Sequence, residues 1–95
     1  MTRPLLSEAD RADVFRGLAH PMRREVLALL KRKQRSVGEL LSLLGGSVAM
    51  PTLSRHLSVL RDAGLVTQVK DGHYRVYRLQ QDAGKRAIKW LRQAL

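Results

Sequence analysis

The residues best suited to recognition chemistry lie in the segment from Thr52 to Val59, which combines small hydroxyls, one arginine and one histidine and contains no acid. At about 100° per residue in a helix, Leu53, Leu57 and Leu60 share one face, and the polar positions point away from it or flank it. Such groups can donate hydrogen bonds to phosphates and base edges, so we predict a DNA recognition helix. Its candidate DNA contacts are Thr52, Ser54, Arg55, His56, Ser58 and Val59.

Structural roles stay open for two of these residues. Arg55 can also be a solvated cation, and His56 flanks the apolar face closely enough to be a packed structural histidine. Ser54 and His56 are two residues apart and point in different directions, which argues against a nucleophile and base pair. The sequence also has no Gly-rich phosphate loop and no paired carboxylates. We therefore expect no catalytic residues and no enzymatic activity.

The segment 36–64 has the pattern of two helices joined by a turn. Ser36 and Glu39 have the spacing of a capping box, which predicts a helix start, and two consecutive glycines end that helix. Pro51 suits the first turn of the second helix. We therefore predict a helix-turn-helix over 36–64. The start of its second helix stays open, because Ser47 can cap an earlier start that puts Pro51 at the fourth position.

A β-hairpin follows the predicted recognition helix, over 65–79. Two β-rich runs, 65–70 and 73–79, are separated by Asp71-Gly72, which is a strong hairpin signal. The hairpin is basic and can contact DNA backbone beside the groove, or it can simply cover the core. Its candidate DNA contacts are Lys70, Arg75 and Arg78.

The terminal helices are predicted over 8–19 and 81–94, with another helix beginning at Pro21. The apolar positions of the last helix cover more of its circumference than packing within one small domain requires. Such a surface suggests a partner, and a second copy of the chain, also contacting the first helix, is the simplest choice. The candidate dimer-interface residues are Phe15, Leu18, Ala87, Ile88, Trp90, Leu91 and Leu95.

Composition favours one basic domain spanning 1–95. Apolar residues make up 44% of the 95, enough for a small core. The net charge of +10 attracts polyanions, of which nucleic acid is the commonest for a small domain, although a merely solvated basic surface stays open. No helix combines a strongly basic face with a set of bulky aromatic anchors, and no apolar run approaches 20 residues, so we expect no membrane partner. With no secretory signal visible, we expect a cytoplasmic protein.

The order of these elements resembles the ArsR-type winged helix-turn-helix repressors. The resemblance covers about 8–95 and implies a mainly α fold with a β-hairpin wing, in the order α-α-α-α-β-β-α. It implies a homodimer, formed through the first and last helices, that binds a pseudo-palindromic operator on double-stranded DNA and represses transcription. The similar stretches are VFRGLAHPMRREVLALL (14–30), SVGELLSLLG (36–45), TLSRHLSVLRDAGLV (52–66) and DGHYRVYRL (71–79).

Carried over by position, Thr52, Ser54, Arg55 and His56 match the DNA-contacting run of the family. Two features depart from it. The chain has no cysteine where many members carry a metal-binding Cys-x-Cys pair, and it has no histidine on the last helix, so we expect no metal site and no cofactor. The connection 45–50 is about two residues longer than the usual turn. A winged-helix protein-interaction module and a sensor gated by an unidentified non-thiol effector remain the alternative functions.

Overall fold

The computed structural model describes residues 8–95, with side chains from residue 12 onward. The predicted element order is confirmed, with one addition, a two-residue strand after the second helix. The elements are α1 (Glu8–Leu18), α2 (Pro21–Arg32), β1 (Arg35–Ser36), α3 (Val37–Leu43), α4 (Met50–Asp62), β2 (Val66–Asp71), β3 (Tyr74–Leu79) and α5 (Gln81–Ala94). The fold is therefore mainly α, as predicted.

The sheet has three antiparallel strands in the order β1-β3-β2. The strand β1 pairs with β3 through Arg35 opposite Tyr77, which anchors the hairpin to the start of α3. The predicted loop, Asp71-Gly72, is wrong by one residue. Asp71 is the last paired residue of β2, and the loop consists of Gly72 and His73. Gly72 has φ of 61°, so the residue without a side chain occupies the left-handed position of the turn. We call β2, this loop and β3 the wing.

The helix-turn-helix is built from α3 and α4, and its first helix begins as predicted. The Glu39 N–H donates to Ser36 Oγ at 3.1 Å, and the Ser36 N–H donates to Glu39 Oε1 at 3.2 Å, which completes the capping box. The start of α4 is now defined. Ala49 is its N-cap, Pro51 is its second residue, and the Ser47 hydroxyl donates to the Leu44 carbonyl instead of capping α4.

The core lies between α4, the other helices and the base of the wing. Its most deeply buried side chains include Leu40, Leu53, Leu57, Leu60 and Val66, so α3, α4 and β2 all contribute. Helix α1 packs closely on this core at Gly17, where an added Cβ would lie 2.9 Å from Leu65 Cδ1. Close packing on both sides of α4 fixes which of its faces remains exposed. Within residues 8–95, no helix is long and apolar enough to cross a bilayer.

Candidate nucleic-acid interface

Helix α4 presents a polar face to solvent. Thr52, Ser54, Arg55 and Ser58 are exposed, and Val59 is half-buried beside them. This is the face predicted from helical spacing, because the leucines at 53, 57 and 60 are fully buried on the other side. Among the side chains that the structure describes, the one ion pair joins Arg86 to Asp82. The Arg55 guanidinium therefore has no carboxylate partner there and can donate to an external acceptor.

The first turn of α4 is open to an anion. Ala49 offers no side-chain acceptor to the first N–H groups of the helix, and no acidic residue lies in that turn. Unpaired N–H groups and the positive end of the helix dipole both favour phosphate there. Met50, the first helical residue, is also exposed. Met50 is not among the DNA contacts predicted from the sequence.

His56 lies inside the protein. Only 7% of its surface is exposed, and its ring packs against the His20 ring at a centroid distance of 4.4 Å. Burial, followed by the nearby charges of His20, Arg23 and Arg55, lowers the pKa of His56 below the usual histidine value. The predicted DNA contact of His56 is not carried into the interface that we propose, because a buried ring cannot reach DNA. Its Nδ1 is buried with no hydrogen-bond partner among the described residues.

The wing carries its cations on both of its faces. Lys70 and Arg75 are direct cross-strand partners, so their side chains lie on the same face of the hairpin. Arg78 is three residues beyond Arg75 and lies on the opposite face, opposite Thr67. All three cations are exposed. The wing therefore brings Lys70 and Arg75 together on one face, whereas Arg78 lies on the other.

A cleft of about 360 Å³ separates the wing from the first turns of α4. Ser54 lines it from α4, and Arg75 and Tyr74 line it from the wing, so two predicted contacts from distant parts of the chain converge there. The Tyr74 side chain is 69% exposed and was not selected from the sequence. Its position directly after the hairpin loop is the signal that could have identified it. Helix α4 is also linked to the wing by a hydrogen bond from Arg61 to Gln68.

The predicted dimer-interface residues divide into three groups. Ile88, Leu91, Leu95 and Leu18 are exposed, Phe15 and Trp90 pack edge-to-face on each other at 5.9 Å, and Ala87 is buried. Only 3% of Ala87 is exposed, so it belongs to the core of its own chain and cannot present its side chain to a partner. The exposed leucines and isoleucine form an apolar surface on one flank of α5, with Leu18 of α1 as a further exposed apolar residue.

Metal-ligating residues do not cluster in the described part of the chain. No group of three or more His, Asp or Glu side chains could hold an ion there. The fold does bring His20 and His56 together, although they lie on separate elements. His20 is the N-cap of α2, and its Nδ1 accepts a hydrogen bond from the Met22 N–H at 3.1 Å. One nitrogen of that pair is therefore already used to cap a helix.

Comparison with known proteins identifies relatives of the same architecture. The helix-turn-helix domain family matches residues 18–69. A biofilm growth-associated repressor of Agrobacterium fabrum is 39% identical over 80 residues, covering 84% of this chain and 67% of the relative. The chain spans 58% of the length of the first curated relatives that it matches, which are Mycobacterium tuberculosis proteins described as HTH-type transcriptional regulators.

Two solved structures superimpose on most of the chain. The crystal structure of an ArsR family transcriptional regulator, RHA00566, has a TM-score of 0.84 at 27% identity, covering 94% of this chain and 90% of that one. The homodimeric winged helix-turn-helix DNA-binding domain of Mb0332 from Mycobacterium bovis has a TM-score of 0.73 at 27% identity. The superposition covers 90% of this chain and 80% of that domain.

Proposed function

Because this chain belongs to the ArsR family of winged helix-turn-helix transcriptional regulators, we propose that it is a homodimeric repressor that binds double-stranded operator DNA. The observation that carries the proposal is the exposed face of α4, which presents Thr52, Ser54, Arg55 and Ser58 to solvent. Arg55 has no ion-pair partner among the described side chains, and the one acid of α4, Asp62, is its last residue. A protein with this role works beside the chromosome, so we also propose a cytoplasmic location.

The contacts divide into two kinds. Lys70 and Arg75 of the wing, with the open first turn of α4, bind phosphates and set the position of the protein on the duplex. Arg55 projects from the middle of the exposed face and reads a base edge in the major groove, where arginine paired with guanine is the commonest specific contact. Thr52 and Ser58 lie one turn or less from Arg55 and complete the reading surface.

Two copies of α4 are needed for an operator with two half-sites. The apolar flank of α5, with Leu18 of α1, is the surface that joins the copies in this proposal. A two-fold dimer then places its recognition helices about 34 Å apart, one turn of B-DNA, and favours a pseudo-palindromic site. The homodimeric state of the Mb0332 domain and the name of the Agrobacterium repressor support this assembly and this role.

Duplex titration at two salt concentrations tests the proposal. A labelled operator duplex, recovered by selecting genomic fragments on the immobilised chain, is titrated at 50 mM and 200 mM salt. We expect specific binding that weakens by roughly a thousandfold or more between the two, as for proteins that displace six or more counterions. Arg92→Ala, which removes an exposed cation from α5, serves as a charge-matched control for Arg75→Ala.

The competing function is a winged-helix module that docks on an acidic protein. The same duplex titration distinguishes this module from a DNA-binding protein. Absence of duplex binding at 50 mM salt would exclude the DNA-binding function and favour the protein-interaction module. Equal losses for Arg92→Ala and Arg75→Ala would show that binding follows net charge alone, without a defined contact surface.

A further inference from the structure

A second surface, away from α4, has the features of a small-molecule site. An apolar groove of about 260 Å³ lies between α2, the base of the wing and α5. Its walls include Leu27 of α2, Leu65 directly before the wing, Leu79 at the end of the wing, and Ile88 of α5. Leu65 is buried, whereas Ile88 remains half-exposed at the rim. The groove is therefore a depression in the apolar core that stays open to solvent.

Two lysines border this groove, and no carboxylate does among the side chains that the structure describes. Lys31 approaches from α2 and Lys85 from α5, and both are exposed. The groove surface is almost wholly apolar, so the lysines contribute their methylene stems to it and extend their ammonium groups into water. Neither forms an ion pair among the side chains described from residue 12 onward. The rim is thus positively charged above an apolar floor.

Gly84 keeps the groove open on the α5 side. A Cβ built at this helical position meets no atom within 4 Å, so the space beside it is empty. Glycine in a helix interior costs about 1 kcal/mol relative to alanine. A larger side chain at position 84 can therefore occupy the groove without straining the backbone, which makes this residue suitable for a blocking substitution.

We propose that this groove binds a free organic carboxylate with an apolar body, of the size of a medium-chain fatty acid. The apolar body covers Leu27, Leu65 and Leu79, which leaves the rim residue Ile88 to the proposed dimer contact, and the carboxylate lies at the rim between the ammonium groups of Lys31 and Lys85. The volume is slightly below the roughly 300–1,000 Å³ of sites for drug-sized ligands, which favours a small occupant. Charge complementarity favours an acid over a neutral or cationic molecule of the same shape.

The groove floor also contacts the connection between α4 and the wing. The Leu65 N–H donates to the Leu60 carbonyl at 2.9 Å, and the Leu65 carbonyl accepts from the Gln80 N–H at 2.8 Å. Leu65 is thus hydrogen-bonded both to the last turns of α4 and to the residue that precedes α5. A bound acid would contact the segment that sets the position of the recognition helix relative to α5. The binding site itself does not depend on the proposed DNA-binding function.

Titration calorimetry on the full chain tests the site without DNA. The probe is decanoate, used below its micelle-forming concentration, with 1-decanol and decyltrimethylammonium as neutral and cationic probes of the same length. We expect saturable binding of decanoate and binding at least roughly tenfold weaker for the other two. Lys31→Gln combined with Lys85→Gln should weaken decanoate binding roughly tenfold, whereas Lys89→Gln, one turn beyond Lys85 and outside the groove lining, should change it less than twofold.

Gly84→Leu provides the steric test. It should abolish decanoate binding while leaving the far-UV circular dichroism and thermal midpoint near those of the original chain. If this variant does not fold, the paired lysine variant decides the question. Absence of decanoate binding, equal binding of all three probes, or an equal loss in Lys89→Gln would overturn the proposal. Binding to anionic phospholipid vesicles without binding of free decanoate would also overturn it.

Discussion

Helices α4 and α5 are both amphipathic, but the faces that they expose differ in chemistry. Each buries an apolar stripe against the same core. Between Thr52 and Ser58, the exposed side of α4 consists of small hydroxyls and Arg55, whereas one exposed flank of α5 carries Ile88, Leu91 and Leu95. Hydrogen-bond donors suit a nucleic acid, and large aliphatic side chains suit a protein surface. The two helices are therefore suited to two different partners.

Positive charge does not distinguish these helices. Helix α5 carries Lys85, Arg86, Lys89 and Arg92, more cations than α4 exposes. The difference lies in what surrounds the charges. On α4, Arg55 stands among groups that can donate or accept hydrogen bonds, but on α5 the cations border an apolar flank. Composition shows that the chain attracts polyanions, and only the arrangement of neighbours shows which helix recognises one.

The largest expected effect comes from placing charge on the apolar flank of α5. Ile88→Lys combined with Leu91→Lys should dissociate the proposed dimer, because an uncompensated charge buried in an interface costs about 3–5 kcal/mol. Analytical ultracentrifugation of the variant should show a monomer. Gln93→Lys adds a single lysine on the polar side of α5 and should leave the dimer intact. A dimer that survives the double substitution would remove this flank from the interface.

The two faces of α4 can be separated by neighbouring substitutions. Leu57→Ala removes a fully buried side chain and should lower the free energy of unfolding by about 2–5 kcal/mol. Ser58→Ala, on the exposed face, should change it by less than about 0.5 kcal/mol. Urea denaturation measures both. Similar losses for the two variants would mean that Ser58 is packed rather than presented to solvent.

A smaller effect is expected from pH, through the histidine behind α4. Burial holds the pKa of His56 below its value in the unfolded chain, so the unfolded state binds more protons as the medium becomes acidic. The stability associated with neutral His56 is present above the unfolded pKa of about 6.5 and is lost as pH falls below it. Thermal unfolding between pH 5 and 8 should show this loss.

Two variants test whether His56 is the group responsible for that pH dependence. His56→Gln should flatten the decrease of the thermal midpoint below pH 6.5, because glutamine does not titrate. His73→Gln, in the exposed wing loop, should leave the decrease unchanged. If His73→Gln flattens the profile and His56→Gln does not, the buried ring is not the group responsible.

Most of the fold was predictable because its signals are local and repeated. The capping box at Ser36, the leucine spacing of α4 and the two β-rich runs each occupy several residues. The strand β1 was not predicted, since two residues have no periodicity and their pairing partner lies about 40 residues later in the chain. The hairpin loop was displaced by one position because Gly72 fits either register of a two-residue turn.

The candidate site was predictable only as a helical face. Spacing predicted Thr52, Arg55 and Val59 as outward residues, with Ser54 and Ser58 on the flanks. The structure exposes Thr52, Arg55 and both serines, whereas Val59 is half-buried. The same spacing left His56 at the edge of that face, and packing against His20 decided its burial. On α5, Ala87 was likewise predicted to face a partner but is buried in the core of its own chain. The burial of a residue at the edge of an apolar helix face depends on which neighbouring side chain packs against it. Sequence spacing does not contain that information.

The central claim is that Arg55 reads a base rather than only neutralising a phosphate. The most direct test is the affinity of Arg55→Ala for the cognate operator and for a random duplex at one salt concentration, with Arg75→Ala as the phosphate-contact control. We expect Arg55→Ala to weaken cognate binding by about 1–3 kcal/mol and to leave random-duplex binding nearly unchanged, while Arg75→Ala weakens both alike. An equal loss on both duplexes for Arg55→Ala would contradict the account.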